Sequence, residues 1–356
     1  GLDVGTRSTP VFVDIDGDGD LDAFAGGADG LFKYYKRTPK VASPFYQYTE
    51  QFGANNPMNG LDAGVNSAPA FADLDGDGDF DCLSGNSLGG FLYYENTGTP
   101  AIASFVLRTG LNNPMDAFDA GTSSTPVLVD LDDDGDFDCI SGESGGTFKY
   151  YENIGTSEDP QFAEQTGASN PMNGFDAGNN SCPAVVDINN DDDLDVFSGN
   201  SSGNYKCYQN NGTASSPNFA EQLLAPVPPF RNNPLRPDAT FDKGSNSVLF
   251  FVDLDNDGDM DAVSGENQGV FYYFENQASS CPPVIACIPN LTVQVDDNQA
   301  TANGVRTVTQ AEYVTTGPRT CGTNTTNPWE VTLSGNELDC ADIGTTQTVV
   351  ATIRDL

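Results

Sequence analysis

The sequence contains no histidine and a single tryptophan, and its 14 Lys and Arg face 52 Asp and Glu among 356 residues. Each shortage excludes something. Without His the chain lacks the commonest general base and the commonest ligand of catalytic zinc. A formal net charge of −38 excludes nucleic-acid binding by phosphate neutralisation and disfavours docking on an anionic membrane. No apolar run approaches the roughly 18–20 residues of a membrane span, so no membrane insertion is expected. Opening on Gly1-Leu2-Asp3, the chain is read as already without an export signal. Eight cysteines are too few for a disulfide-dense scaffold. Disorder is excluded too, because 37 % of the residues are hydrophobic, with 22 Phe and 13 Tyr.

What is present is a repeat. The run Asp14-Ile-Asp-Gly-Asp-Gly-Asp-Leu-Asp22 recurs at Asp73–Asp81, Asp130–Asp138, Asp187–Asp195 and Asp253–Asp261. A Ser-x-Pro segment precedes the first four copies, as at Ser8-Thr9-Pro10 and Ser67-Ala68-Pro69. An aromatic run follows each copy, as at Phe32-Lys-Tyr34-Tyr35 and Phe91-Leu-Tyr93-Tyr94. Within a unit the apolar period is 2, no window holds a helical stripe, and Gly, Asn, Asp and Pro separate the runs. Four short strands per unit are expected, the last around Phe45–Glu50, Phe105–Arg108, Phe162–Gln165 and Phe219–Gln222. The fold class is therefore all-β: a β-propeller of about five four-stranded blades over 1–276. The fifth unit lacks its fourth strand, so an open edge is expected unless another segment supplies it.

The five loops hold half of all the acidic residues. Carboxylates packed so closely repel one another unless a cation compensates them. Oxygen donors alone, without His or Cys, indicate a hard ion, and flexible coordination favours Ca²⁺ over Mg²⁺. Acids at positions 1, 3 and 5 wrap one centre: Asp14, Asp16 and Asp18; Asp73, Asp75 and Asp77; Asp130, Asp132 and Asp134; Asp187, Asn189 and Asp191; Asp253, Asp255 and Asp257. Position 6 requires a left-handed backbone, supplied by Gly in four of the loops. Position 9 closes the shell through Asp22, Asp81, Asp138, Asp195 and Asp261. The position-7 acids Asp20, Asp79, Asp136, Asp193 and Asp259 belong to the same site, their carbonyls as ligands and their side chains adding negative potential from outside the shell. About five structural Ca²⁺ ions are expected. The fourth site is expected to be the weakest, because Asn189 replaces Asp and Asp192 replaces Gly.

These Asp-x-Asp-x-Asp-Gly-x-x-Asp loops, with the preceding Pro-containing strand and the Tyr-Tyr-Glu-Asn strand, resemble the FG-GAP/VCBS repeats of bacterial secreted proteins, related to the integrin α-chain propeller. The resemblance implies one Ca²⁺ per loop and a role in adhesion or carbohydrate contact, sometimes with an attached enzyme.

Cys182 and Cys207 each break a repeat column, replacing residues such as Thr125 and Tyr150, and a disulfide within one blade is expected between them. Cys82 and Cys139 share a column with Ala23 and Val196 and are read as buried free thiols. After a linker at 277–290, the segment 291–356 turns Thr- and Val-rich, with strand-like runs at Leu291–Val295, Val305–Thr309, Trp329–Leu333 and Thr346–Ile353. Through Cys287-Ile-Pro-Asn-Leu-Thr-Val293 and Asp339-Cys-Ala-Asp-Ile-Gly344 it resembles a HYR-like, immunoglobulin-type sandwich, possessing one strand fewer than that pattern. That resemblance implies a Cys321–Cys340 disulfide and leaves Cys287 either paired with Cys281 or unpaired.

Disulfides with calcium point to a secreted, extracellular or cell-surface protein. The leading expectation is a non-enzymatic, calcium-rigidified surface or adhesion protein. Its partner would be a protein or glycan on a cell surface or matrix, or copies of itself joined into a filament through open β-edges. The alternative is a carbohydrate-binding module using aromatics such as Tyr35, Tyr94, Tyr151 and Tyr208, although their recurrence in every unit favours blade packing. A polysaccharide lyase or glycosidase ranks lower, because nearly all clustered carboxylates are committed to the loops.

Overall fold

The computed structural model describes residues 5–38, 47–188, 191–222, 245–254, 260–269 and 271–274, with three later strands. Blade one comprises β1 (Thr9–Val13), β2 (Asp22–Gly26), β3 (Lys33–Thr38) and β4 (Gln47–Gln51). Blade two has β5 (Ala68–Ala72), β6 (Asp81–Gly85), β7 (Phe91–Asn96) and β8 (Phe105–Arg108). Blade three has β9 (Thr125–Val129), β10 (Asp138–Gly142), β11 (Phe148–Asn153) and β12 (Phe162–Gln165). Blade four has β13 (Cys182–Val186), β14 (Asp195–Gly199), β15 (Tyr205–Asn210) and β16 (Phe219–Glu221). Blade five contributes β17 (Val248–Val252), β18 (Asp261–Gly265) and β19 (Tyr272–Phe274) among the described residues. Within every blade the strands pair antiparallel in sequence order. Each acidic loop is the connection from the first strand to the second.

The second strand of each blade, such as Asp81-Cys-Leu-Ser-Gly85, is buried on both faces and therefore carries no polar alternation. The tandem tyrosines follow from the same geometry. Successive side chains of a strand point to opposite faces, so each tyrosine enters a different core between blades. Tyr34 packs with Tyr94 between blades one and two, Tyr93 with Tyr151 between two and three, and Tyr150 with Tyr208 between three and four. An edge-to-face pair recurs at these junctions: Phe32 on Tyr94, Phe91 on Tyr151 and Phe148 on Tyr208, each at 5.6 Å between ring centroids. Such pairs contribute about 0.5–1.5 kcal/mol beyond their buried area. Tyr35 takes the same role against Val252 and Val263, between blades five and one.

The ring is closed. Phe12 of blade one packs against Phe250 of blade five. The amide of Glu266 donates to Ser8 Oγ at 3.0 Å, and the amide of Ser8 donates to the Glu266 carbonyl at 3.2 Å. Blade five and blade one thus meet through the contact that joins their neighbours. Residues Asn56, Asn113 and Asn170, each in an Asn-Pro-Met segment, tie the link between blades back to the preceding aromatic strand. Each side-chain amide donates to the carbonyl of Phe32, Phe91 or Phe148. The following Met58, Met115 and Met172 are fully buried. Sequence reasoning passed over this motif, although its threefold recurrence was there to be read.

The chain divides into two compact units, and in the second β20 (Val305–Val308), β21 (Trp329–Ser334) and β22 (Val349–Asp355) form an antiparallel sheet of order β20-β22-β21. Three strands do not by themselves support an immunoglobulin-like sandwich. Leu291–Val295, Cys281, Cys287 and the expected Cys321–Cys340 disulfide lie outside the described residues.

Candidate metal centres and axial cavity

In each of the first three loops, carboxylate oxygens at positions 1, 3 and 5 converge, all lying within 4.8 Å of one another. These are Asp14, Asp16 and Asp18; Asp73, Asp75 and Asp77; and Asp130, Asp132 and Asp134. Backbone donors build the cradle. In loop one the amides of Asp18 and Gly19 donate to the two oxygens of Asp14 at 3.1 and 3.0 Å, and loop three repeats this on Asp130. Loop four does so on Asp187, through the amides of Asp191 and Asp192. Position 6 is left-handed as expected, with φ of 87°, 93° and 97° at Gly19, Gly78 and Gly135. Asp192 adopts φ 67° there in loop four, a conformation costly for a residue with a Cβ. Asn189, Asp255, Asp257 and Asp259 lie outside the described residues.

The position-9 acids depart from the sequence-based expectation, and the position-7 acids add a detail to it. The position-7 side chains of Asp79 and Asp136 are buried, 4 % and 8 % exposed, and in each Oδ1 has no hydrogen-bond partner. Burial first, and then the neighbouring loop carboxylates, push both acids up to about 6. They thus add negative potential to the acidic cluster from a buried position. The position-9 acids, in contrast, point inward. Asp81 accepts from Tyr93 Oη at 2.7 Å, from the Asn96 amide at 2.7 Å and from the Leu74 amide at 3.3 Å. Asp138 repeats this with Tyr150, Asn153 and Leu131. Asp22 accepts from Tyr34 and the Arg37 amide, and Asp261 from Tyr273 and the Leu254 amide. In blade four Cys207 occupies the tyrosine column, and Asp195 Oδ2 is left buried without a partner. Burial raises Asp81, Asp138 and Asp195 to about 7 and Asp22 to about 6. These carboxylates clasp the loop to its aromatic strand.

The donor set fits a hard divalent cation. It consists of oxygen alone, it is three carboxylates deep, and it includes buried oxygens without hydrogen-bond partners: Asp16 Oδ1 in loop one, Asp73 Oδ1 in loop two and Asp132 Oδ1 in loop three. Leaving such atoms unsatisfied costs about 1–3 kcal/mol each, more when ionised.

The expected Cys182–Cys207 disulfide is not formed, and both thiols are free, as are Cys82 and Cys139. Cys182 lies on β13 opposite Gly199, while Cys207 lies on β15 opposite Phe197, with β14 between them. Two strand spacings amount to about 9–10 Å, beyond the reach of a disulfide. Burial raises all four thiols, which disfavours thiolate chemistry.

Tyr35, Tyr94, Tyr151 and Tyr208 are buried in the cores between blades, as their recurrence favoured, and are not exposed glycan contacts. Among the described residues the most exposed aromatics are Phe52, Tyr273 and Phe80. The first strands of all five blades surround an axial cavity of about 350 Å³, lined by Phe12, Phe71, Phe80, Phe250 and Phe251 with the proline of each Ser-x-Pro segment. Phe80, at position 8 of loop two, is 39 % exposed there. At the strand starts the axis narrows to a cavity of about 50 Å³ ringed by Arg7, Asn66, Ser123, Asn180 and Asn246, each with φ between 57° and 63°.

No family model and no curated protein matches this sequence, so the FG-GAP/VCBS and HYR resemblances gain no support. Among solved structures, the chain is similar to an Agrocybe aegerita lectin described as recognising non-reducing terminal N-acetylglucosamine (18 % identity, TM-score 0.39). That match covers 77 % of this chain and spans 64 % of the lectin's length. A thermostable family-43 glycoside hydrolase matches at 10 % identity and TM-score 0.43, covering 78 % of this chain and 95 % of the hydrolase. The TcdB2–TccC3–Cdc42 complex matches at 17 % identity and TM-score 0.35, covering 74 % of this chain and 14 % of that one. With a glycoside hydrolase among these neighbours, the expectation that this chain is not an enzyme is withdrawn, and no activity is assigned in its place. At these scores the likenesses concern the fold and carry no argument about this chain's chemistry.

Proposed function

We propose that this chain is a calcium-stabilised, secreted propeller that serves as a rigid binding platform. The observation that carries this reading is the convergence of three carboxylates in each of the first three loops, with buried oxygens that no protein group satisfies. Asp73, Asp75 and Asp77 would hold one ion and Asp130, Asp132 and Asp134 another, with the Asp79 and Asp136 carboxylates adding charge beside them. A bound divalent ion neutralises the repulsion that otherwise opposes closing the loop. Binding only to the folded state stabilises it by about 2.7 kcal/mol per site when free ion exceeds Kd a hundredfold. Millimolar calcium outside cells suits such sites. The test is thermal unfolding with and without EGTA, followed by a calcium titration. A melting temperature rising saturably with calcium is the expected result, and one unmoved by calcium would sink the reading.

A second reading concerns the ligand. Carbohydrate recognition is favoured by the axial cavity, where a half-exposed Phe80 and neighbouring phenylalanines offer apolar faces of the kind on which pyranose rings stack. Sites of this volume with few polar groups suit small ligands. Glycan-array binding in calcium, repeated with Phe80→Ala, tests it. Loss of at least tenfold in affinity is expected, and glycan binding indifferent to that change would place the ligand elsewhere.

A further inference from the structure

The first acidic loop is unlike the second and third in one respect: it already contains a cation. Lys36 Nζ donates to Asp16 Oδ2 and lies 3.1 Å from Asp18 Oδ2, so the ammonium bridges two of the three triad carboxylates. The next residue, Arg37, is 2 % exposed in its side chain and places Nε 3.7 Å from Asp20 Oδ1. Position 7 of this loop is thereby compensated, whereas Asp79 and Asp136 keep an unpartnered oxygen. The repeat columns make the difference explicit. Where blade one has Lys36-Arg37, the others have Glu95-Asn96, Glu152-Asn153, Gln209-Asn210 and Glu275-Asn276. Among the described residues, no Lys or Arg pairs with a carboxylate of the second or third loop.

We propose that the Lys36 ammonium stands in for the divalent cation in the first loop, so that loops two and three take up calcium and loop one does not. This rests on the calcium reading above and narrows it to particular loops. A tethered ammonium needs no free ion and is present at a high effective concentration. Its single charge meets one oxygen of each of two carboxylates, Asp16 Oδ2 and Asp18 Oδ2, and leaves Asp16 Oδ1 without a partner. An entering ion would first have to break that pair.

The position of this loop gives the substitution a purpose. Arg37 Nη2 also donates to the carbonyl of Leu254 at 3.3 Å, reaching from blade one into the first-to-second-strand loop of blade five. The loop that needs no calcium therefore sits at the seam where the ring closes, and the seam is held by fixed charges of the chain itself. Loss of calcium would loosen blades two and three while leaving the closure between blades five and one in place.

The experiment counts calcium ions per chain by titration calorimetry and equilibrium dialysis, using wild type and three variants. Lys36→Gln removes the ammonium beside a cleft of about 390 Å³ that borders Asp16 and gives an ion access. It should bind one ion more than wild type. Asp16→Asn with Asp18→Asn should bind the same number as wild type, whereas Asp75→Asn with Asp77→Asn should bind one fewer. A wild type that binds no calcium defeats the underlying calcium reading. A wild type that binds calcium, but loses an ion with the loop-one pair, overturns the inference about Lys36 alone. So does a folded Lys36→Gln chain that gains none. Should Lys36→Gln fail to fold, the loop-one pair decides by itself.

Discussion

The amide of Glu266 donates to the hydroxyl of Ser8 across 258 positions of chain, at 3.0 Å, and so joins the last described blade to the first. The same bond joins the other blades: Gly27 to Ser67, Asn86 to Ser124, Glu143 to Ser181 and Asn200 to Ser247, at 2.9–3.2 Å. In each case the residue before the donor is glycine, and a Cβ there would run into the facing serine's carbonyl. Gly and Ser form a clasp that lets two blades approach to backbone contact.

Replacing a clasp glycine should therefore cost more than replacing an open one. Gly142→Ala puts a methyl group against the Ser181 carbonyl, which is backbone and cannot rotate away. A loss of about 1–3 kcal/mol is expected, as for other overpacking changes. Gly90, which has open space around its Cβ position, serves as the control, and Gly90→Ala should be near neutral. Equilibrium urea unfolding of both variants checks this, and equal effects would remove the clasp from the account.

The tyrosine clasp on the position-9 acid is open to the same kind of test. Tyr93→Phe keeps the ring in its core but removes the donor 2.7 Å from Asp81 Oδ2. A cost of about 0.5–1.5 kcal/mol is expected from the lost hydrogen bond, since Oδ2 keeps the longer bond from the Leu74 amide at 3.3 Å. Thermal melting should show it, and a variant as stable as wild type would mean that this hydrogen bond contributes nothing net.

Calcium-free protein should lose stability as pH rises. Burial holds Asp81, Asp138 and Asp195 near 7 in the folded state, against an unfolded value near 4. Between those values the native state carries more protons than the unfolded one, so stability falls with increasing pH. Repulsion in a chain of net charge −38 acts in the same direction. In EGTA the urea midpoint should be higher at pH 5 than at pH 8, and Asp81→Asn should flatten the slope. A midpoint that rises with pH would contradict the burial of these acids.

The thiols of Cys182 and Cys207 should remain separate in oxidising buffer. Alkylation of the unfolded, unreduced chain followed by peptide mapping should find both labelled. A crosslinked peptide joining them would show that β14 does not lie between their strands.

Much of this protein was legible in its residues. The in-phase recurrence of Asp-rich loops and aromatic runs, with a period of 2 between turn residues, determined four-stranded blades and their number. Repetition multiplies a weak local signal, and for this reason strands such as Phe105–Arg108 and Phe162–Gln165 emerged with their observed limits. The spacing of acids at positions 1, 3 and 5 determined which carboxylates converge, because a single tight turn enforces it locally. Whatever depends on two strands that are not sequence neighbours was decided only by the tertiary structure. Cys182 and Cys207 stand out as a pair in the repeat columns, yet an intervening strand keeps them apart. The recurrence of Tyr94 and Tyr151 pointed to blade packing, but which core between blades receives each ring is decided only by the approach of the neighbouring blade. Closure of the ring through Ser8 and Glu266, and the capture of Asp16 and Asp18 by Lys36, likewise depend on distances in space that composition and periodicity do not encode.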